Sequence, residues 1–274
     1  MQSKTLTANG TLLHYVEVGS GPETIVFSHG YLMSHRMFMD QITALSASAR
    51  VIAFDHRCHG ASENVRSKFG LQDLVEDAAA LIRETCDGPV HFAGMSTGGF
   101  VGMRLALYQP ELIKSLVLID TSAKSEDPKS LRQNKLLLTI VGLFGFRPVI
   151  AKAMSILMAE PFLKDPKRRE QVDRWRTYIT SLNIPALRQF GYAIFSRDSV
   201  LEELKKWDDF VPTKIIVGEF DQPTPVQDAT DMHDAIQGSE LTIVPRAGHT
   251  SPVEEPQIVT STLREFYQRI GAID

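Results

Sequence analysis

The chain has 274 residues, of which 43% are hydrophobic and 23% charged, and its formal net charge is −4. This is ordinary globular composition, and the length suffices for a large core without disulfide staples. A mildly acidic chain without a basic stripe argues against a nucleic-acid partner. Two cysteines are too few for a disulfide framework and indicate reduced thiols in a cytoplasmic protein.

The N-terminal residues lack the apolar segment of a signal peptide. The longest apolar stretch, residues 136–146, is about half of the ~20 residues that span a bilayer. We therefore expect a cytoplasmic protein that does not enter a membrane. The pattern does not specify an oligomeric state.

Strand-like segments open the chain. Residues 4–8 and 11–18 flank Asn9 and Gly10, a dipeptide favoured in type I′ turns, and this arrangement predicts a β-hairpin. Short apolar runs follow at residues 24–28, 50–54, 89–93, 115–119, 214–217 and 241–244. Unbroken apolar runs are typical of parallel strands that are covered on both faces.

Helical patterns separate most of these strands, at about residues 36–47, 71–86, 99–109, 226–236 and 256–270. Alternating strands and helices predict an α/β fold, with a mostly parallel eight-stranded sheet and helices on both faces. The alternation stops within residues 123–207, which are helical in pattern, rich in large apolar residues and interrupted by prolines. We expect a helical cap there, inserted into a core domain of residues 1–122 and 208–274.

A G-x-S-x-G pattern at residues 94–98 lies between an apolar run and a helical segment. In that context it indicates a nucleophile elbow, a strained turn that raises Ser96 above the edge of the sheet. The strand at residues 115–119 ends at the same edge, so the insertion that follows it is expected to cover Ser96. The pattern alone is weak, and its meaning depends on partner residues.

A serine nucleophile needs an adjacent base, which is commonly a histidine oriented by a carboxylate. Two histidines follow Ser96 in the chain. His249 lies in a loop directly after a strand, whereas His233 lies within a polar helical pattern typical of a surface residue. We therefore predict His249 as the general base.

Three acidic residues are candidates for the carboxylate. Asp221 leads, because it lies in a proline-rich loop between the strand at residues 214–217 and the next helix. The alternative is that Asp221 has a structural role only, in a turn or as the N-cap residue of a helix. Asp120 ends an earlier strand at the same edge and is the second candidate, and Glu219 is the third.

The complete pattern resembles that of α/β-hydrolase fold serine hydrolases. The matching segments are the His-Gly pair at residues 29–30, residues 55–62, the elbow at 94–99, residues 218–225 and residues 248–249. Residues 55–62 are similar to the family's D-x-R-G-x-G-x-S run, with Cys58 where the first glycine usually stands. The core looks similar to cofactor-free haloperoxidases, aryl esterases, 3-oxoadipate enol-lactonases and C–C bond hydrolases.

The resemblance also implies the oxyanion hole. In this family two backbone N–H groups form it, and here they are those of Tyr31 and Thr97. No cofactor and no metal are implied. His56, Cys58 and His59 lie as close together in the chain as metal ligands often do, but the requirements of a turn explain them better than a zinc site does.

These observations predict a serine hydrolase that cleaves carboxylic esters of small to medium apolar substrates through an acyl-enzyme. A lactone hydrolase of the 3-oxoadipate enol-lactonase type and a C–C bond hydrolase are alternatives with the same triad. In the lactonase alternative, cap residues bind a substrate carboxylate, unless they are only surface residues: Arg174, Trp175, Arg176, Arg188 and Arg197. A ligand receptor on a hydrolase scaffold is the non-enzymatic alternative.

Overall fold

One eight-stranded sheet organises the structure, a computed structural model that describes residues 1–208 and 210–274. Its strands are β1 (Gln2–Ala8), β2 (Thr11–Val18), β3 (Thr24–Ser28), β4 (Arg50–Phe54), β5 (Val90–Met95), β6 (Ile113–Ile119), β7 (Thr213–Gly218) and β8 (Glu240–Val244). The strand order is β1-β2-β4-β3-β5-β6-β7-β8. The β1–β2 and β2–β4 pairs are antiparallel and the others are parallel, so the predicted mostly parallel sheet is confirmed.

The predicted hairpin is present at the start of the chain. Asn9 and Gly10 have φ values of 48° and 71°, and a type I′ turn requires positive φ at both positions. Pairing places Ala8 opposite Thr11 and continues to Gln2, so the first strand begins two residues before the predicted start at Lys4.

Helices connect the strands. They are α1 (Met39–Leu45), α2 (Leu71–Thr85), α3 (Thr97–Tyr108), α4 (Pro128–Phe144), α5 (Ile150–Leu157), α6 (Glu160–Lys164), α7 (Arg169–Ser181), α8 (Ile184–Phe195), α9 (Leu201–Leu204), α10 (Val226–Ala235), α11 (Ser251–Glu254) and α12 (Pro256–Arg269). The helix predicted at residues 36–47 is instead a 3₁₀ turn, His35–Phe38, followed by α1. The tighter turn accompanies two hydrogen bonds that fix His35 to Asp55.

Two hydrophobic cores lie on opposite faces of the sheet. Along β3, Val26 belongs to one core, whereas Ile25 and Phe27 belong to the other. Side chains of α2, α3 and α10 complete the first core, and side chains of α1 and α12 complete the second. This arrangement explains why the central strands are apolar throughout rather than alternating.

Helices α4 to α9 fill most of residues 123–207, which lie between β6 and β7 and which we call the helical insertion. Prolines occupy the first turns of α4, α6 and α8, where a missing N–H is tolerated. The predicted division of this segment by prolines is therefore confirmed. Within the described residues, the combination of length and apolar character that a transmembrane helix requires does not occur.

Candidate active site

Ser96 lies in a sharp turn between β5 and α3. Its backbone has φ 51° and ψ −110°, a strained conformation for a residue with a side chain. The flanking glycines are required by close approach, because a Cβ on Gly94 would lie 2.1 Å from the carbonyl oxygen of Gly98. A Cβ on Gly98 would in turn lie 2.0 Å from the carbonyl oxygen of Ser28.

The structure brings Ser96, His249 and Asp221 together at the carboxyl ends of the parallel strands. The Oγ of Ser96 lies 3.0 Å from Nε2 of His249. Nδ1 of His249 lies 3.0 and 2.9 Å from the two carboxylate oxygens of Asp221. All three residues are buried. An ionised carboxylate only accepts hydrogen bonds, so Nδ1 of His249 is the protonated nitrogen and Nε2 accepts from the serine hydroxyl.

The environment of His249 favours its protonated form. Burial by itself lowers the pKa of His249, but the charge of Asp221 and its hydrogen bond outweigh burial and raise the pKa above the ordinary value of 6.5. The ring is therefore a stronger base than a free histidine, as proton removal from a serine hydroxyl requires.

The two alternative carboxylates have other partners. Asp120 accepts hydrogen bonds from the backbone N–H of Gly218 at 2.9 Å and from the N–H and hydroxyl of Ser251 at 2.9 and 2.7 Å. Burial and the nearby charge of Asp221 raise the pKa of Asp120 well above its usual range. Glu219 is exposed and accepts from the backbone N–H of Arg246 at 3.0 Å. Of the three candidates, Asp221 is the one hydrogen-bonded to the imidazole.

Two backbone amides near Ser96 have free hydrogen-bonding capacity. The N–H groups of Tyr31 and Thr97 donate to no atom of residues 1–208 or 210–274. Thr97 is the first residue of α3, where amides have no partner inside the helix and attract negative charge. The Tyr31 side chain lines the cavity described below, and its hydroxyl donates to the carbonyl of Leu187 at 3.0 Å.

Thr224 is a site residue that the sequence interpretation missed. Its backbone N–H donates to Asp221 at 3.0 Å, and its hydroxyl donates to the second carboxylate oxygen at 2.9 Å. These bonds orient the carboxylate toward His249. The local signal was a threonine three residues after an aspartate in a turn, which is a common hydrogen-bonded motif without catalytic meaning of its own.

Glu254 is a second missed residue, and it fixes the loop that carries His249. One of its carboxylate oxygens accepts from the N–H groups of Ala159 at 2.7 Å and Gly248 at 3.0 Å. The other accepts from the N–H and hydroxyl of Thr250 at 3.0 and 2.9 Å. Glu254 therefore joins the histidine loop to the helical insertion.

The histidines near the predicted oxyanion loop are buried and neutral. Burial lowers the pKa of His29 to about 4 and that of His59 to about 3. His29 accepts from the N–H of His56 at 2.9 Å, and His59 accepts from the N–H of Leu32 at 3.2 Å. These rings shape the loop. Cys58 has φ 68°, in the left-handed region that favours glycine, which accounts for glycine in the family's pattern.

A different set of residues has the geometry of a possible metal site. His14, His35 and Asp55 offer ligand atoms within 4.8 Å of one another. The carboxylate of Asp55 already accepts from Nδ1 of both histidines, at 2.8 and 2.9 Å, and from the N–H groups of His35 and Ala61. Burial opposes ionisation of Asp55, but the two histidines outweigh it and hold the pKa of Asp55 well below its usual range. These hydrogen bonds account for the cluster, because they tie strand β2 to the segments that follow β3 and β4.

A cavity of about 160 Å³ opens onto Ser96 and His249. Its wall is mostly apolar and comes from both the sheet side and the helical insertion. Apolar residues of the insertion that line it include Leu137, Leu138, Val141, Phe146, Leu187 and Ile194.

Of the four arginines that the sequence analysis considered for carboxylate binding, Arg197 is the one that lines this cavity. It is paired with Glu126 at 2.8 Å. Arg174 and Arg176 pair with acidic residues of their own helix, at 3.6 and 3.1 Å. Arg188 lies against Gly142, outside the cavity wall.

The chain is similar to known proteins in both sequence and fold. A family model described as the alpha/beta hydrolase family matches residues 25–262. The 3-oxoadipate enol-lactonase 1 of Acinetobacter baylyi is 28% identical over 260 residues, which cover 92% of each chain. The fold is similar to that of a thermophilic esterase from Thermogutta terrifontis, with a TM-score of 0.90, 23% identity and coverage of 98% of this chain and 99% of the other. It is also similar to that of an enol-lactonase from Burkholderia xenovorans, with a TM-score of 0.89, 22% identity and coverage of 97% and 100%.

Proposed function

This chain belongs to the alpha/beta hydrolase family, and from that premise we propose that it is a serine hydrolase that cleaves carboxylic esters through an acyl-enzyme. The observation that carries the proposal is the hydrogen-bonded series from Ser96 through His249 to Asp221. Nucleophile, base and orienting carboxylate are each within hydrogen-bonding distance of the next, as nucleophilic catalysis by serine requires. A ligand receptor has no need of this arrangement.

In the proposed reaction, Oγ of Ser96 attacks the ester carbonyl while Nε2 of His249 takes the hydroxyl proton. The imidazolium then gives that proton to the departing alcohol, and the acyl group remains on Ser96. A water molecule, deprotonated by the same nitrogen, attacks the acyl-enzyme. The imidazolium then returns the proton to Oγ of Ser96 as the acyl–oxygen bond breaks and the carboxylic acid leaves. Asp221 stabilises the imidazolium in both half-reactions without being protonated.

The N–H groups of Tyr31 and Thr97 are the proposed oxyanion hole. The carbonyl oxygen becomes negatively charged only in the tetrahedral state, so donors fixed beforehand stabilise that state selectively. Loss of one such donor typically costs ~3 kcal/mol of transition-state stabilisation. Support for this assignment comes from the free hydrogen-bonding capacity of both amides and from the position of Thr97 at a helix N-terminus.

The cavity supports small to medium, largely apolar substrates. We propose that residues 123–207 act as a cap over a core domain of residues 1–122 and 208–274, because the insertion supplies most of the apolar wall. The volume of about 160 Å³ suits an acyl or alcohol group of a few carbon atoms rather than a long lipid chain.

Lactone hydrolysis is the second candidate, favoured by the 28% identity to an enol-lactonase. The same steps open a lactone, and the leaving alcohol then stays attached to the acyl chain. An ester substrate is preferred here because the one cap arginine in the cavity wall is already paired with Glu126.

Steady-state hydrolysis separates the two candidates. We expect p-nitrophenyl butyrate to be hydrolysed with a higher kcat/KM than δ-valerolactone, and both activities to disappear in the Ser96→Ala variant. A clean Ser96→Ala preparation that retains ester hydrolysis would contradict the acyl-enzyme. A higher kcat/KM on the lactone would bring the second candidate forward.

A further inference from the structure

Besides Tyr31, Ser96, Thr224 and His249, the cavity wall contains three polar side chains: Glu126, Asn134 and Arg197. Nη1 of Arg197 donates to Oε2 of Glu126 at 2.8 Å, and the amide of Asn134 donates to Oε1 of Glu126 at 3.3 Å. Glu126 precedes α4, Asn134 lies in α4 and Arg197 follows α8. We call Glu126 and Arg197 the Glu126–Arg197 pair, to which the side-chain amide of Asn134 is hydrogen-bonded.

The pair and the nucleophile line the same cavity, together with Phe100. The guanidinium carbon of Arg197 is 4.1 Å from the centroid of the Phe100 ring. Phe100 follows Ser96 by one turn of α3, and its N–H donates to the Ser96 carbonyl at 3.1 Å. An acyl chain on Ser96 and the guanidinium of Arg197 therefore share one enclosed space.

The charge of Arg197 is neutralised where it meets the cavity. The side chains of Arg197 and Glu126 are only 6% and 15% exposed, so water screens their attraction weakly. A substrate carboxylate placed beside Arg197 would also lie beside the Glu126 carboxylate. An anionic group therefore gains little attraction there and loses its hydration.

Arg197 nevertheless has a hydrogen-bond donor to spare. Its Nε donates to the Lys124 carbonyl at 3.0 Å, and Nη1 donates to Glu126 and to the Ile194 carbonyl at 3.2 Å. Nη2 donates to no atom of the described residues and retains accessible surface, and Arg197 is one of the residues that line the cavity. A charge-compensated guanidinium with one free N–H₂ group matches a neutral acceptor such as a carbonyl oxygen.

We propose that Arg197, whose positive charge is compensated by Glu126, binds a second, uncharged carbonyl oxygen on the acyl group of the substrate. The same pair excludes a carboxylate from that position. The substrate class is then neutral esters of oxo-acids, with the additional carbonyl a few bonds beyond the scissile one. This inference rests on the proposed acyl-enzyme function of Ser96.

Three p-nitrophenyl esters of equal acyl length test the inference: pentanoate, 4-oxopentanoate and the half-ester of glutarate. For the wild-type enzyme we expect kcat/KM to be highest for 4-oxopentanoate, with pentanoate next and the anionic glutarate half-ester lowest, in steps of roughly tenfold. In Glu126→Gln, Arg197 loses its counter-charge, so the ratio of the glutarate half-ester to pentanoate should rise by roughly tenfold to a hundredfold. Arg197→Met should abolish the preference for 4-oxopentanoate over pentanoate.

Glu202→Gln is the matched control, because it removes an exposed carboxylate that pairs with Lys205 at 2.6 Å and does not line the cavity. In Glu202→Gln, the ratios of kcat/KM among the three esters should equal those of the wild-type enzyme. The wild-type series needs no variant, so it decides the charge preference even where Glu126→Gln folds poorly.

A wild-type preference for the glutarate half-ester, or an unchanged ratio in well-folded Glu126→Gln, overturns the inference. That failure differs from failure of the proposed function. If pentanoate is hydrolysed through Ser96 but the ratios are flat, only the carbonyl-binding role is lost. If no ester is hydrolysed and Ser96 does not react with a fluorophosphonate, the acyl-enzyme itself is wrong.

Discussion

Nε2 of His249 lies 3.0 Å from Oγ of Ser96, although 153 residues separate them in the chain. Ser96 is set by the strained turn after β5, and His249 lies in the loop after β8. Parallel pairing places the carboxyl ends of both strands at one edge of the sheet, where sites of open α/β sheets form. The distance therefore depends on the whole sheet and on the groups that fix each loop.

Replacement of Asp221 tests which carboxylate orients the histidine. In Asp221→Asn the side chain keeps its shape but loses the charge that stabilises the imidazolium, so kcat should fall by about 10⁴-fold. Asp120→Asn should lower kcat far less, because Asp120 bonds to Gly218 and Ser251 rather than to the imidazole. Ester hydrolysis by the two variants under identical conditions is the measurement. A larger loss of kcat in Asp120→Asn than in Asp221→Asn would show that Asp120 is the carboxylate that orients His249.

The pH dependence of kcat/KM should report His249. The base must be neutral to accept the serine proton, so activity rises as pH increases through the pKa of His249. Because Asp221 raises that pKa, the inflection should lie above 6.5 in the wild-type enzyme. The inflection should move to lower pH in Asp221→Asn, where the raising charge is absent. A profile that is flat between pH 5 and 9 contradicts a titrating base with a pKa in that range.

Glu254 should contribute strongly to stability. Glu254→Ala leaves the N–H groups of Ala159, Gly248 and Thr250 without their acceptor in a buried site. Each unpaired buried donor costs about 1–3 kcal/mol, so the free energy of unfolding should fall by about 3 kcal/mol or more. Urea denaturation measures the change.

Glu255→Ala is the control for that variant, since it removes the adjacent carboxylate, whose ion pair with Arg246 is long at 3.8 Å. Its free energy of unfolding should change by less than about 1 kcal/mol. Equal losses in the two variants would show that the hydrogen bonds of Glu254 are not the cause.

The elbow should tolerate no side chain at Gly98. In Gly98→Ala the new Cβ meets the Ser28 carbonyl oxygen at 2.0 Å, which forces β3 and the turn apart. The free energy of unfolding should fall by about 1–3 kcal/mol, and kcat/KM by about a hundredfold, because Ser96 moves relative to His249. Gly88→Ala, which meets no atom within 4 Å, should match the wild type in both measurements.

Local sequence patterns predicted the parts of the fold that local chemistry determines. Asn9 and Gly10 specify a turn with positive φ at both residues, and the turn is present. The apolar runs correspond to strands because covered parallel strands need apolar residues on both faces. Ser96 and His249 could be predicted as neighbours because a tight glycine-flanked turn and a loop after a strand are both visible in the sequence, and the two side chains lie 3.0 Å apart.

The same local patterns could not predict contacts between residues that are distant in the chain. Glu126 and Arg197 are 71 residues apart, and no periodicity indicates that they share a cavity wall. Glu254 looks like any helix glutamate until its four hydrogen bonds are seen. Such pairings are set by the packing of the helical insertion on the core, and that packing has no local signature.

The proposed mechanism depends on Ser96 being an activated nucleophile. This is tested by the intact mass of the protein after brief treatment with a fluorophosphonate, for wild type and Ser96→Ala side by side. We expect a single adduct on the wild type, mapped to Ser96 by peptide analysis, and none on the variant. A wild-type protein that gains no adduct, or a Ser96→Ala variant that gains the same one, would contradict the proposed mechanism.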